Sequence, residues 1–189
     1  MSARWIAFGA LVAAEGLLLV SLTISAVRPA WRTWPPPGPR SWQLAWSWGL
    51  LGVAAVAGAV LAIADYGSFV LDHWGWKAAG AALLVAAEVF NEWSVRTVGR
   101  HASRGLGGEL VTAGPYALSR NPQYLAQSAM VVAIALIADS TLLAFAAPLG
   151  IAALLLTPWA EERWLEERHG DAYGQYRGQV PRFLGRRRR

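Results

Sequence analysis

Residues 123–159 read QYLAQSAMVVAIALIADSTLLAFAAPLGIAALLLTPW. Two apolar runs, Gln123 to Ala138 and Thr141 to Trp159, are separated only by Asp139 and Ser140. So short a connection demands an antiparallel helix hairpin. The first run is short against the ~20 residues that a bilayer-spanning helix needs. It therefore tilts little or ends in a re-entrant turn. Polar clusters flank both open ends of this hairpin: LVTAGPYALSRNPQYL before it, from Leu110, and EERWLEERHGDAYGQYRGQVPRFL after it, to Leu184.

Three more apolar runs precede the hairpin: Trp5 to Val27, Trp42 to Ala64, and Trp76 to Val95. Hydrophobic residues make up 55% of the chain and charged residues 15%, against roughly a quarter charged in soluble domains. Mean hydropathy is +0.32. These values predict an all-α membrane protein of about five transmembrane helices, the last two a tight hairpin, followed by an amphipathic C-terminal segment. The first run is too long for a signal-peptide core, and the RPAWRTWPPPGPR after it is no small-residue cleavage site. The chain has no cysteine, which excludes disulfides, thiolate zinc sites and a cysteine nucleophile. No metal site is expected.

With five spans the connections alternate sides. One side receives fifteen of the seventeen Lys and Arg residues, and the other only Arg4 and Lys77. Excess positive charge marks the cytoplasmic face. The C-terminus and the motif-rich connections are then cytoplasmic, and the N-terminus lies outside. Trp31, Trp34, Trp42, Trp74, Trp76, Trp93, Trp159 and Trp164 fall near predicted span ends, where an indole suits the headgroup region. The terminal Arg186 to Arg189 suit anionic lipid headgroups. No basic face with interleaved aromatics accompanies them, so no nucleic-acid partner is expected.

The chemistry gathers at the open end of the hairpin. Gly114-Pro115-Tyr116 precedes Ser119-Arg120-Asn121-Pro122-Gln123-Tyr124. Pro122 suits the first turn of a helix, whose free N–H groups favour a carboxylate or a polar ligand edge. Arg120 adds a cationic fork just before it. Glu161 and Glu162 follow the fifth span, so the hairpin brings them beside Arg120 and Tyr124. Adjacent helical residues diverge by about 100°, so one carboxylate can face the bundle while the other meets a different neighbour. Tyr173 and Tyr176 are three apart, on one helical face. Glu15 and Glu88 lie within spans, with Asn91 near Glu88, and ionisable groups at that depth are costly and often functional.

Taken together these segments resemble the integral membrane methyltransferases typified by isoprenylcysteine carboxyl methyltransferase and the phospholipid methyltransferases. Carrying the resemblance are G-P-Y, R-x-P-x-Y, E-E-x-x-L, G-x-x-Y-x-x-Y and P-R-F, in the family's order and spacing, from about Arg96 to Leu184. The resemblance implies S-adenosylmethionine as methyl donor, S-adenosylhomocysteine as product, and a lipophilic acceptor reached from the bilayer. Transfer would be an in-line displacement at a sulfonium methyl. Residues 96–189 would then form the donor-binding core and residues 1–95 the acceptor side. Tyr116, Arg120, Asn121 and Tyr124 would line the donor pocket, Glu161 or Glu162 would hold the methionine ammonium, and Tyr173 and Tyr176 would close the roof. Arg120, Arg182 and Glu162 would form the catalytic set, with Arg120 and Arg182 near the acceptor. Glu88 and Asn91 are candidates for contact with the substrate. The family's usual histidine after the arginine is here Asn121, which keeps hydrogen-bonding capacity but cannot titrate near neutrality. The acceptor stays open among isoprenylcysteine-like carboxylates, lipid amines, thiols and quinone-like lipids. Two other readings also stay open: a membrane reductase of the sterol-reductase type using NADPH, and a non-catalytic membrane protein.

Overall fold

The computed structural model describes residues 2–71 and 73–185, and all of its regular structure is helical. Five long helices follow one another: α1 Ala3–Val27, α2 Trp42–Ala64, α3 Trp74–Val98, α4 Pro122–Ala138 and α5 Thr141–Gln179. Local chemistry sets their starts. Ser41 Oγ accepts from Leu44 N at the start of α2, Ser140 Oγ accepts from Leu143 N at the start of α5, and Pro122 opens α4. Each supplies what the first turn of a helix lacks.

By length and composition α1, α2 and α5 are long and apolar enough to cross a membrane. The protein is a membrane protein with the expected five helices, although α4 is a shorter apolar helix of 17 residues and α3 carries Lys77, Glu88, Glu92 and Arg96. No re-entrant turn ends α4. It stops at Asp139, which takes up a left-handed conformation at φ 49° and turns the chain straight into α5. Arg186 to Arg189 lie outside the described residues.

The helices pack in a row. α2 lies on α1, α1 on α5, α5 on α4, and α4 most extensively on α3. The last seam depends on Gly80. A β-carbon there would stand 3.0 Å from the Ala133 carbonyl oxygen and from Leu136 and Ile137 side-chain atoms, so only glycine admits so close an approach. The core on the N-terminal side joins Leu11, Leu61, Leu142 and Ala146. Because α2 barely touches α4 and α5, a gap remains inside the row.

At one end the row is tied by Asp65. Its Oδ2 accepts from Ser68 Oγ, Ser140 Oγ and Leu142 N, and Arg4 lies 3.7 Å from Oδ1. All the functional clusters lie at the other end. α5 has 39 residues, about 58 Å at the usual rise, nearly twice the hydrocarbon thickness of a bilayer. Its apolar part ends at Ala160, and the charged segment predicted as a separate C-terminal element continues the same helix. Gly170, at φ 54° and ψ −132°, then breaks the axis. That left-handed backbone is cheap only for glycine. It turns the final stretch back over the start of α4.

Candidate functional site

The chain after the Gly170 break is laced to the segment before α4. Arg120 N donates to Pro181 O, Arg120 Nε to Val180 O at 3.1 Å, and Ser119 Oγ and Asn121 Nδ2 both donate to Arg182 O. Tyr176 donates its hydroxyl to Tyr116 O at 2.7 Å. Tyr173 and Tyr176 sit edge to face, and with Val180 they form a small core of their own. Asn121 thus works as a clasp for the C-terminal strip.

The two glutamates have opposite surroundings. Glu162 Oε1 accepts from Arg120 Nη1 and Arg182 Nε, both at 2.7 Å, and its Oε2 accepts from Arg182 Nη2 at 2.5 Å. Burial alone would raise the Glu162 pKa, but the bonds and charges of Arg182 and Arg120 hold it below the usual carboxylate range. Glu161, just beyond the apolar part of α5, accepts from Trp34 Nε1 at 2.7 Å and from Tyr124 Oη at 2.6 Å, both onto Oε1. Among the described residues no cationic side chain pairs with it. Burial pushes its pKa up, and the two hydrogen bonds only partly counter this. The helical offset expected for adjacent residues is thus realised: one carboxylate locks the fold and the other faces a hollow.

That hollow is a cleft open to solvent, with about 120 Å³ of water-accessible space. Tyr116, Arg120, Asn121, Tyr124, Glu161, Tyr173 and Tyr176 all line it. Glu162 and Arg182 do not. Arg182 lies instead with its guanidinium 4.1 Å from the ring centre of Trp159. Glu88 is exposed on α3, and Asn91, with its Oδ1 unpartnered, lines neither this hollow nor the apolar cavity next to it. Burial raises the hydroxyl pKa of both Tyr116 and Tyr173 to about 12, so both stay protonated donors at neutral pH.

The structure adds residues that motif reading passed over. Gly105, Gly107, Gly108 and Leu110 form a wall from the connection between α3 and α4, and Gln123 donates to the Tyr116 hydroxyl at 2.7 Å. Trp34 was expected among the interfacial tryptophans. It is instead only 8% exposed, because its N–H is spent on Glu161. Its sequence signal was the proline-rich stretch around it, which reads as a stiff turn and gives no hint of a distant partner.

A second, apolar cavity of about 680 Å³ opens between α1, α2, α4 and α5, where the row of helices leaves its gap. Among the described residues none from α3 lines it. Tyr124 lines both spaces, and Trp34, bonded to Glu161, lines the apolar one. The two cavities therefore meet at Tyr124, Trp34 and Glu161.

Comparison with curated proteins and with solved structures gives no match. A family model described as phospholipid methyltransferase matches residues 76–172, which take in α3, α4 and most of α5. That match covers just over half of the chain and includes the wall, the start of α4 and both glutamates, and the protein belongs to the phospholipid methyltransferase family.

Proposed function

We propose that the protein transfers a methyl group from S-adenosylmethionine to a lipophilic acceptor held at membrane depth. The observation that carries this reading is the meeting of two unlike cavities at Tyr124, one polar with a buried carboxylate and one apolar. A charged donor and a greasy acceptor need that pair of environments side by side.

The residues of the polar hollow suit the donor. Glu161 receives only neutral hydrogen-bond donors, and the methionine ammonium is the charged partner such a carboxylate wants. Glu162, already bound by two guanidiniums, is a poor choice for that role. The glycine wall offers backbone edges to a nucleoside, and Tyr173 and Tyr176 roof the space. When bound, the donor supplies an electrophilic methyl on a sulfonium with a good neutral leaving group. The chain's own part is to hold, align and keep water out, and proximity of that kind is worth several kcal/mol. Arg120 and Arg182 fix Glu162 and the C-terminal strip, and so keep the roof closed. In this reading α3, α4, α5 and the C-terminal strip hold the donor, while α1 and α2 complete the acceptor cavity. The excess of Lys and Arg on that side of the membrane supports a cytoplasm-facing hollow.

The test is calorimetry of the purified protein with S-adenosylhomocysteine and, separately, NADPH. Binding of the first alone is expected. Binding of NADPH alone supports a reductase, and binding of neither in folded protein overturns the reading. Incubation of lipid extracts with isotopically labelled S-adenosylmethionine, read by mass spectrometry, then identifies the acceptor.

A further inference from the structure

Glu15 stands at the middle of α1 and is only 8% exposed. It lines the apolar cavity, and its Oε2 has no hydrogen-bond partner. Its seat is made by Gly150 of α5, since any side chain there would collide with Glu15 Oε1. A buried carboxyl oxygen with no partner is costly, more so at membrane depth. The rest of the lining is mainly aliphatic, with Leu11, Leu18, Met130 and Ile134 around it. Eleven residues of α5 separate Gly150 from Glu161, roughly 16 Å along the axis. Glu15 is thus remote from the point where the two cavities meet and stands about midway along the apolar space, with Leu11 and Leu143 lining it further on.

We propose that the apolar cavity takes an elongated lipophile with a hydrogen-bond donor, a hydroxyl or an amine, at the end remote from the methyl-accepting atom, and that Glu15 receives this donor. The proposal rests on the acceptor reading of the cavity given above. It narrows the acceptor class from any lipid tail to a molecule polar at both ends. A plain saturated tail leaves the Glu15 oxygen unpaired. A chain ending in a hydroxyl satisfies it and fills the gap between α1, α2, α4 and α5.

The test compares dodecanol with 1-methoxyundecane, an isomer of the same length without a hydrogen-bond donor, by calorimetric titration of the full chain in lipid nanodiscs, with empty nanodiscs as the blank. In wild-type protein dodecanol binds about tenfold tighter than the ether, as one added hydrogen bond to a buried polar group allows. In Glu15→Leu this gain disappears while S-adenosylhomocysteine affinity stays at the wild-type value. Gly150→Ala, which pushes the carboxyl from its seat, also reduces the gain, and this keeps the test open if Glu15→Leu does not fold. Equal wild-type affinity for dodecanol and the ether, or a gain that survives Glu15→Leu, overturns the proposal. A wild-type gain without S-adenosylhomocysteine binding supports the Glu15 site and sinks the methyl-donor reading instead.

Discussion

Trp34, in the connection between α1 and α2, donates its indole N–H to Glu161 Oε1 at 2.7 Å across 127 positions of sequence. The bond ties the N-terminal pair of helices to the family-matched region, which begins only at residue 76. It also orients the carboxylate that the proposed reading offers to the methyl donor. Trp34→Phe keeps an aromatic body and removes the N–H. S-Adenosylhomocysteine affinity is expected to fall about tenfold, the worth of one charge-assisted hydrogen bond. Titration calorimetry checks this, and an unchanged affinity would show that Tyr124 alone positions Glu161.

Glu161 and Glu162 are expected to fail in different ways. Glu161→Gln removes the charge that attracts an ammonium and leaves a side chain of the same size. Ligand affinity should drop by tenfold or more with little change in Tm. Glu162→Gln leaves Arg120, whose side chain is 8% exposed, without its carboxylate. Breaking such a pair costs roughly 3–5 kcal/mol, so Tm should fall well before any effect on binding is measurable. Thermal unfolding and calorimetry on both variants separate the outcomes, and matching profiles would sink the division of roles.

The pH response follows from the same two groups. The Glu161 pKa is raised by burial, so the folded state favours its protonated form. Its contribution to stability is full below the unfolded carboxylate value of about 4.3 and is lost as pH rises through the folded pKa. Ligand affinity should rise over that same window as the carboxylate ionises. The Glu162 pKa is lowered because Arg182 and Arg120 outweigh burial. Its stabilisation is present above about 4.3 and is lost as pH falls through the folded pKa. A Tm profile against pH should therefore lose its decline on the higher-pH side in Glu161→Gln and its acid-side fall in Glu162→Gln. A Glu161→Gln profile that overlays the wild type would refute the assignment.

Gly80→Leu tests the α3–α4 seam. The nearest atoms include the Ala133 carbonyl, which belongs to helical backbone and cannot turn aside. Overpacking of this kind costs about 1–3 kcal/mol. Tm should fall, and the wall between α3 and α4 should loosen enough to weaken S-adenosylhomocysteine binding. An unaltered Tm would mean that the helices separate freely there.

Much of this protein was legible along the chain. Apolar runs and the two-residue Asp139-Ser140 turn determined the helices and their hairpin, because helix length and turn length are local properties of sequence. The hairpin in turn determined that Arg120, Tyr124, Glu161 and Glu162 meet. Tyr116, Tyr173 and Tyr176, named from the family resemblance, line one hollow together. Other features depended on contacts between distant segments, for which the chain carries no periodic signal. Only the folded row of helices decided that Glu162 is locked by two arginines while Glu161 is not, that Trp34 leaves the interface to bond Glu161, and that α3 stands outside the apolar cavity. The same packing decided the fate of the intramembrane acids: α1 and Gly150 turn Glu15 into the cavity, and α3 leaves Glu88 on its outer face. Adjacent glutamates have one composition and one hydropathy. Which of them is charged, paired or exposed is set by what the rest of the fold brings within 3 Å of each.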